Sequence, residues 1–335
     1  METKQALTKE VLIKVCNLSV NYLSNKESVR VVNKVNFSLH QSETLAILGE
    51  SGSGKSTVAL ALMGLLPKPN AQISSGKIEF KGRDIIQLSD SERREIRGAQ
   101  MSMIFQDPLS ALNPVFTVGF QIGEILRTHK KMPRKEVKKN VIELMEKVKI
   151  PDAKNRVNDY PHQFSGGMQQ RVIIAIALAL QPQFLIADEP TTALDVTVQA
   201  QIMEILKELQ HAEKMGMIFI SHDIGVVANY ADRVAVMYAG HIVETGPVKE
   251  VLSNPAHPYT LGLINSLPTM GLELNRLTPI EGSPPSLHNL PQGCPFYARC
   301  PMAKDICKNR KPELINLNEE RESACHFYKE VLHGA

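Results

Sequence analysis

The chain has 335 residues, 43% of them hydrophobic, and 38 basic against 35 acidic residues leave a formal charge of +3. That is an ordinary globular composition with room for about two or three domains. The charge is too small to argue for nucleic acid, and a chain with no Trp and 5% aromatics offers no platform for stacking single-stranded bases. Residues 1–10 are polar and do not form a signal peptide, and the longest apolar run, 172–180, is far too short to span a bilayer. A soluble cytosolic chain is expected, with any membrane span supplied by another subunit.

Residues 11–20 form a strand-like stretch, and residues 31–39 alternate well enough to be its hairpin partner. Residues 44–48 are a short apolar run that predicts a buried strand. They lead straight into Gly49-Glu50-Ser51-Gly52-Ser53-Gly54-Lys55-Ser56, the spacing G-x-x-x-x-G-K-[ST] of a phosphate-cradling P-loop. A helix is predicted over 57–66, stopped by Pro67. In such a loop the glycines let backbone N–H groups turn inward around phosphates, and the helix N-terminus adds its positive end. Lys55 would reach the β- and γ-phosphates and the Ser56 hydroxyl would ligate Mg²⁺. Gly49, Ser51, Gly52, Ser53, Gly54, Lys55, Ser56 and Thr57 are therefore the candidate ATP-binding residues of the loop.

Further along, 76–82 reads as a short edge strand bounded by glycines. Ser89-Asp90-Ser91-Glu92 has the spacing of a capping box and opens a short helix ending at Gly98. Residues 101–105 are an apolar strand that stops at Gln106-Asp107-Pro108. From 113 to 150 the texture turns helical, with amphipathic stretches at 119–130 and 134–149. Arg127, Lys130, Lys131, Arg134, Lys135, Lys138 and Lys139 form a basic run there, either a solvated face or one turned to a membrane or acidic partner. Residues 151–161 are a linker rich in Asn, Asp and Pro. Residues 184–188 and 217–221 are two more core strands alternating with helices, which predicts βαβ units and a parallel sheet. Strands at 233–238 and 241–244 turn at Gly240. Beyond Pro247 the chain is helical and then irregular, with seven prolines between Pro255 and Pro291.

Phosphoryl transfer to water needs a cradled triphosphate, a held Mg²⁺ and a polarised water. Asp188-Glu189 closes an apolar strand, where Asp188 can hold Mg²⁺ and Glu189 can act as general base. Three more stretches narrow the reading. Phe164-Ser165-Gly166-Gly167-Met168-Gln169-Gln170-Arg171 resembles the signature motif of ATP-binding-cassette (ABC) ATPases. The resemblance implies that Ser165, Gly166, Gly167 and Gln169 serve the γ-phosphate of a nucleotide held by an opposing subunit. Phe164 and Met168 depart from the commoner Leu-Ser-Gly-Gly-Gln form in the manner of the peptide-importer branch. Gln106 matches the family's Q-loop, which also places it on Mg²⁺, His222 its switch histidine and Ala193-Leu194-Asp195 its D-loop. Tyr22 matches its adenine-stacking aromatic. Taken singly, Gln106 could be a strand-end cap, His222 a satisfied core histidine, Asp195 the N-cap of a helix over 196–209, and Tyr22 a core tyrosine. Asn254-Pro255-Ala256-His257-Pro258-Tyr259-Thr260, Glu281-Gly282-Ser283-Pro284-Pro285 and 293–301 are similar to the C-terminal extension of oligopeptide and dipeptide importer ATPases, D-type subunit.

The five cysteines are placed unevenly. Cys16 stands alone on a predicted strand and is read as a small buried apolar residue. Cys294, Cys300, Cys307 and Cys325 follow the spacing C-x₅-C-x₆-C-x₁₇-C. Four thiol ligands in one short tail suit Zn²⁺ or an iron–sulfur cluster, although zinc sites usually begin with a tighter pair. The family resemblance implies a [4Fe–4S] cluster, with zinc or unligated thiols as the alternatives.

The expected fold is an α/β, ABC-type P-loop NTPase core with an antiparallel β subdomain, an inserted helical subdomain and a C-terminal metal-binding extension. The expected boundaries are 1–106 with 172–250 for the core, 107–171 for the helical part and 251–335 for the extension. The resemblance implies an ATPase that powers uptake of dipeptides or oligopeptides, or alternatively of nickel or another small solute. It also implies a second ABC ATPase, two transmembrane permeases and an extracytoplasmic binding protein as partners, no nucleic acid, and a peripheral place on the cytoplasmic face of a bacterial membrane. A soluble ATPase acting on ribosomes or DNA would carry two cassettes or long basic insertions, and neither is present. A metal-sensing regulator, with the ATPase secondary, is the third class considered.

Overall fold

The computed structural model describes residues 10–24, 27–106, 111–192, 194–266 and 280–334. Its strands are β1 (Val11–Ser24), β2 (Glu27–His40), β3 (Thr44–Leu48), β4 (Ala71–Phe80), β5 (Arg83–Asp84), β6 (Met101–Ile104), β7 (Phe184–Asp188), β8 (Gly216–Ser221), β9 (Arg233–Tyr238), β10 (His241–Pro247), β11 (Ile315–Asn316) and β12 (Glu322–Ser323). Two compact units share them. The first holds Leu39–Glu43, Gln87–Ile218 and the residues before Ile13, and the second holds Ile13–Ser38, Thr44–Ile86 and the chain from Phe219 onward. Strand β8 carries the chain from the first unit into the second.

In the first unit β6 and β7 pair in parallel, Met101 opposite Phe184 and Ile104 opposite Ala187, and every residue of both is buried. Apolar strands buried on both faces need helices on them, and the helix Gly166–Leu178 packs on β6. Helices Val118–Lys130 and Arg134–Lys147 pack on each other and on Gly166–Leu178. Their inner stripes are Val118, Ile122 and Leu126, and Val137, Val141 and Met145, repeating at helical spacing. The charged residues of the basic run lie outside these stripes. The second helix stops at Lys147, two residues sooner than its pattern predicts. The linker 151–161 holds a short helix, Ala153–Arg156. The capping box is formed as predicted, Ser89 Oγ accepting from Glu92 N–H and Glu92 accepting from Ser89 N–H.

In the second unit lies the four-stranded sheet β2–β1–β4–β5, apart from the strand ends at 11–12 and 39–40. Strand β4 starts at Ala71 and sits between β1 and β5, so β5 takes the edge expected for 76–82. Cys16 on β1 is half-buried opposite Lys77, more open than the buried position expected of it. A second run of strands is ordered β11–β12–β10–β9–β3, with β3 parallel to β9 and the others antiparallel.

The C-terminal extension is built onto this run. Ser323 pairs with Glu244, and Arg321 donates to the Glu244 carboxylate at 2.8 Å. Glu244 is fully buried and also accepts from the N–H groups of Ala256 and His257. Buried Tyr259, Phe296, Ala324 and Val331 give the extension an apolar core of its own. Among the described residues no three Cys, His, Asp or Glu side chains are grouped to hold a metal. The Arg321–Glu244 ion pair and the packing of Tyr259 and Phe296 on Tyr238 tie the extension to this run of strands.

Candidate functional site

Strand β3 is buried along its whole length, and the chain leaves it at Gly49 to enter the helix Lys55–Met63. Gly54 is the N-cap at φ 102°, and a Cβ there would stand 2.9 Å from the Val31 carbonyl. Only glycine meets both demands. The helix ends at Gly64 in the left-handed region, three residues before the predicted stop. Lys55 is 5% exposed, and its ammonium donates to the carbonyls of Gly49 at 2.8 Å and Glu50 at 2.9 Å. Ser53 is buried and its hydroxyl has no partner. The first helical turn, which carries Ser56 and Thr57, has no acidic residue, so the positive helix end is uncompensated. A buried ammonium, an orphan hydroxyl and a bare helix N-terminus fit a polyphosphate. Ser51 and Gly52 are exposed at the loop's tip, and Tyr22 stands half-buried on β1 opposite Ala71.

Gln106, Asp188, Glu189, Asp195 and the stretch from Ser165 lie in the first unit. Asp188 ends β7 and is buried. Glu189 follows at φ 45°, a left-handed conformation that costs a non-glycine residue about 1–3 kcal/mol and marks functional positions. Its carboxylate accepts from Gln106 Nε2 at 3.0 Å and from Thr192 Oγ1 at 2.9 Å. Two donors thus fix the direction of the candidate base, and Gln106, predicted for the nucleotide, is brought to Glu189. Asp195 caps the helix Val196–Ala212, accepting from Val198 N–H at 2.9 Å. Ala193 of the expected D-loop lies outside the described residues.

Ser165 is the N-cap of Gly166–Leu178, yet its exposed hydroxyl makes no capping bond, and Gly166 beside it is exposed too. At Gly167 a Cβ would come 2.5 Å from Val198 Cγ1, so the two helices close on each other only over a glycine. Gln169 corrects an expectation. It is buried and donates to the carbonyls of Pro161 at 2.8 Å and Phe164 at 3.2 Å, so its side chain pins its own loop instead of facing a ligand. Its spacing to buried Val172 and Ile173 is the signal for that inward turn. His222, in the second unit, is exposed just after β8, and Asp223 caps the following helix Ile224–Tyr230.

Cys294, Cys300, Cys307 and Cys325, none in a disulfide, line one cavity of about 20 Å³ together with Phe296, Phe327 and Met302. Burial pushes the Cys294 thiol up to about 11 and Cys325 up to about 12, so both are neutral thiols at pH 7. Sequence reasoning passed over Arg299, which reaches Glu50 of the P-loop. The signal was Glu50 itself, a carboxylate inside a phosphate loop.

Comparison with known proteins agrees with both halves. The family described as ABC transporter matches residues 32–192, and the family described as oligopeptide/dipeptide transporter, C-terminal region, matches residues 243–307. The chain is 52% identical over 303 residues to a dipeptide transport ATP-binding protein, DppD, of Bacillus subtilis, covering 90% of each. It is 50% identical to the oligopeptide transport ATP-binding protein OppD of the same organism, covering 92% of this chain and 86% of the relative. Among solved structures, a dimeric ATP-binding cassette, MJ0796, bound to ADP and Pi matches with a TM-score of 0.64 and 28% identity, over 71% of this chain and 99% of that one.

Proposed function

This chain belongs to the ABC transporter ATPases, in the branch carrying the oligopeptide/dipeptide transporter C-terminal region, and from that premise we propose how its residues divide the work. It is the ATP-hydrolysing subunit of an importer for dipeptides or oligopeptides. The observation that carries the chemistry is the loop around buried Lys55, with its orphan Ser53 hydroxyl. Lys55 and the loop N–H groups hold the phosphates, and Ser56, Gln106 and Asp188 would hold Mg²⁺, which would neutralise phosphate charge. Tyr22 stacks on the adenine. Water attacks the γ-phosphorus as the bond to the bridging oxygen breaks, and Glu189 accepts the water's proton. His222 supports the γ-phosphate.

Ser165, Gly166 and Gly167 present an open helix N-terminus, which suits the nucleotide of a second ATPase, with Asp195 beside it. The exposed pair Phe116 and Phe120, stacked at 4.8 Å, is the surface offered to a permease. Among the described residues no helix is long and apolar enough to cross a membrane, so the spans come from two permeases, with this subunit on the cytoplasmic face. The boundaries 1–106 with 172–250, 107–171 and 251–335 remain our division of the chain. The four cysteines around one cavity have the donor chemistry for a [4Fe–4S] cluster or zinc, which metal analysis decides. Hydrolysis should be slow for the chain alone and rise when the second ATPase and the permeases are added. An isolated chain turning over as fast as the assembly would contradict the shared site.

A further inference from the structure

We propose that the C-terminal extension belongs to the nucleotide machinery of this chain: Arg299 and Tyr259 are positioning residues that hold the P-loop through Glu50. The proposal rests on the P-loop reading above. Glu50 carries the one negative charge of the loop 49–56, and a carboxylate close to bound phosphates would disfavour binding unless a cation intervenes. The cation comes from the far end of the chain. Arg299 donates through both terminal nitrogens to the Glu50 carboxylate, at 2.7 and 3.0 Å, and its side chain is 5% exposed. Such bidentate pairs combine strength with fixed geometry. The remaining donors of Arg299 are directed as well, Nε to the Glu281 carbonyl at 3.0 Å and a terminal nitrogen to that of Ile280 at 3.3 Å.

The backbone of Glu50 is held by the same segment. Its N–H donates to the Tyr259 hydroxyl at 2.9 Å. Tyr259 is fully buried, its ring 4.6 Å from that of Tyr238 and 5.4 Å from that of Phe296, three residues before Arg299. The Glu50 carbonyl meanwhile accepts from Lys55. The Lys55 ammonium carries three N–H donors, so holding this carbonyl does not itself keep it from a phosphate. Arg299 and Tyr259 then keep the loop in shape, and the guanidinium cancels the one negative charge the loop carries.

The test is the dissociation constant of the full-length chain for MgATP, measured for Arg299→Met in the wild-type and in the Glu50→Gln background. Arg299→Met should weaken binding about tenfold or more, because it leaves the Glu50 charge facing the phosphates. In the Glu50→Gln background the same substitution should change binding less than twofold, since no charge is left to cancel. If Arg299→Met fails to fold, Arg299→Lys keeps the charge and loses the fork, and its smaller loss should likewise vanish in that background. An unchanged constant, or an equal loss in both backgrounds, would overturn the proposal. Lys55→Ala separates the two readings: if it leaves MgATP binding intact, the P-loop reading fails, whereas lost binding beside a silent Arg299→Met overturns the positioning role alone.

Discussion

The loop we propose to hold the nucleotide and the residues we propose to hydrolyse it are built by different means. Within the loop 49–56 Lys55 and Ser53 are buried while Ser51, Gly52 and Ser56 are exposed, and Glu50 is gripped by Arg299 and Tyr259 from an extension locked through Arg321 and Glu244. In the first unit Gln106, Thr192, Ser165 and Gly166 are exposed, Asp188 is buried, and half-buried Glu189 accepts hydrogen bonds from Gln106 and Thr192. Buried ion pairs and close backbone contacts resist rearrangement, while exposed polar side chains joined by one bond each change partners at little cost.

The comparison breaks most easily at the extension. Arg321→Met leaves the Glu244 carboxylate buried without its cation and should cost about 3–5 kcal/mol of stability, read by denaturant unfolding. Burial already holds the Glu244 pKa above the ordinary carboxylate range. In the variant, stability should therefore be lowest at neutral pH and recover in part as falling pH protonates Glu244. A loss below about 1 kcal/mol would show that packing alone holds the extension.

A smaller effect is expected at the cysteine cavity, because aromatic packing and the Arg321 pair already order its surroundings. A [4Fe–4S] cluster held there would make anaerobically prepared protein brown, with about four iron and four sulfide per chain. Cys300→Ser should bleach it at less cost in stability than Arg321→Met. Colourless protein with stoichiometric zinc would exclude the cluster, and metal-free protein would exclude both and leave four free thiols, Cys307 buried and the other three half-buried.

What could be read from the sequence follows the same division. The P-loop, Asp188-Glu189 and Ser165-Gly166-Gly167 are recognisable because their chemistry demands fixed residue types at fixed local spacing. Glu50 with Arg299 and Glu244 with Arg321 lie 249 and 77 residues apart, and no local periodicity announces such pairs. Helix ends slipped where one residue's backbone decides, as at Gly64. Gln169 is grouped with the signature residues by its motif, while its place in the buried stripe of its helix turns the side chain inward.

The division of labour is tested most directly by measuring MgATP affinity and turnover together for Glu189→Gln and Lys55→Ala in the assembled transporter. Glu189→Gln should bind MgATP within about twofold of the wild type and lose about 10²–10⁴-fold in kcat, the worth of a positioned general base. Lys55→Ala should lose the binding itself. Near-wild-type turnover by Glu189→Gln, or a loss of affinity as large as that of Lys55→Ala, would contradict the separation of holding from hydrolysis.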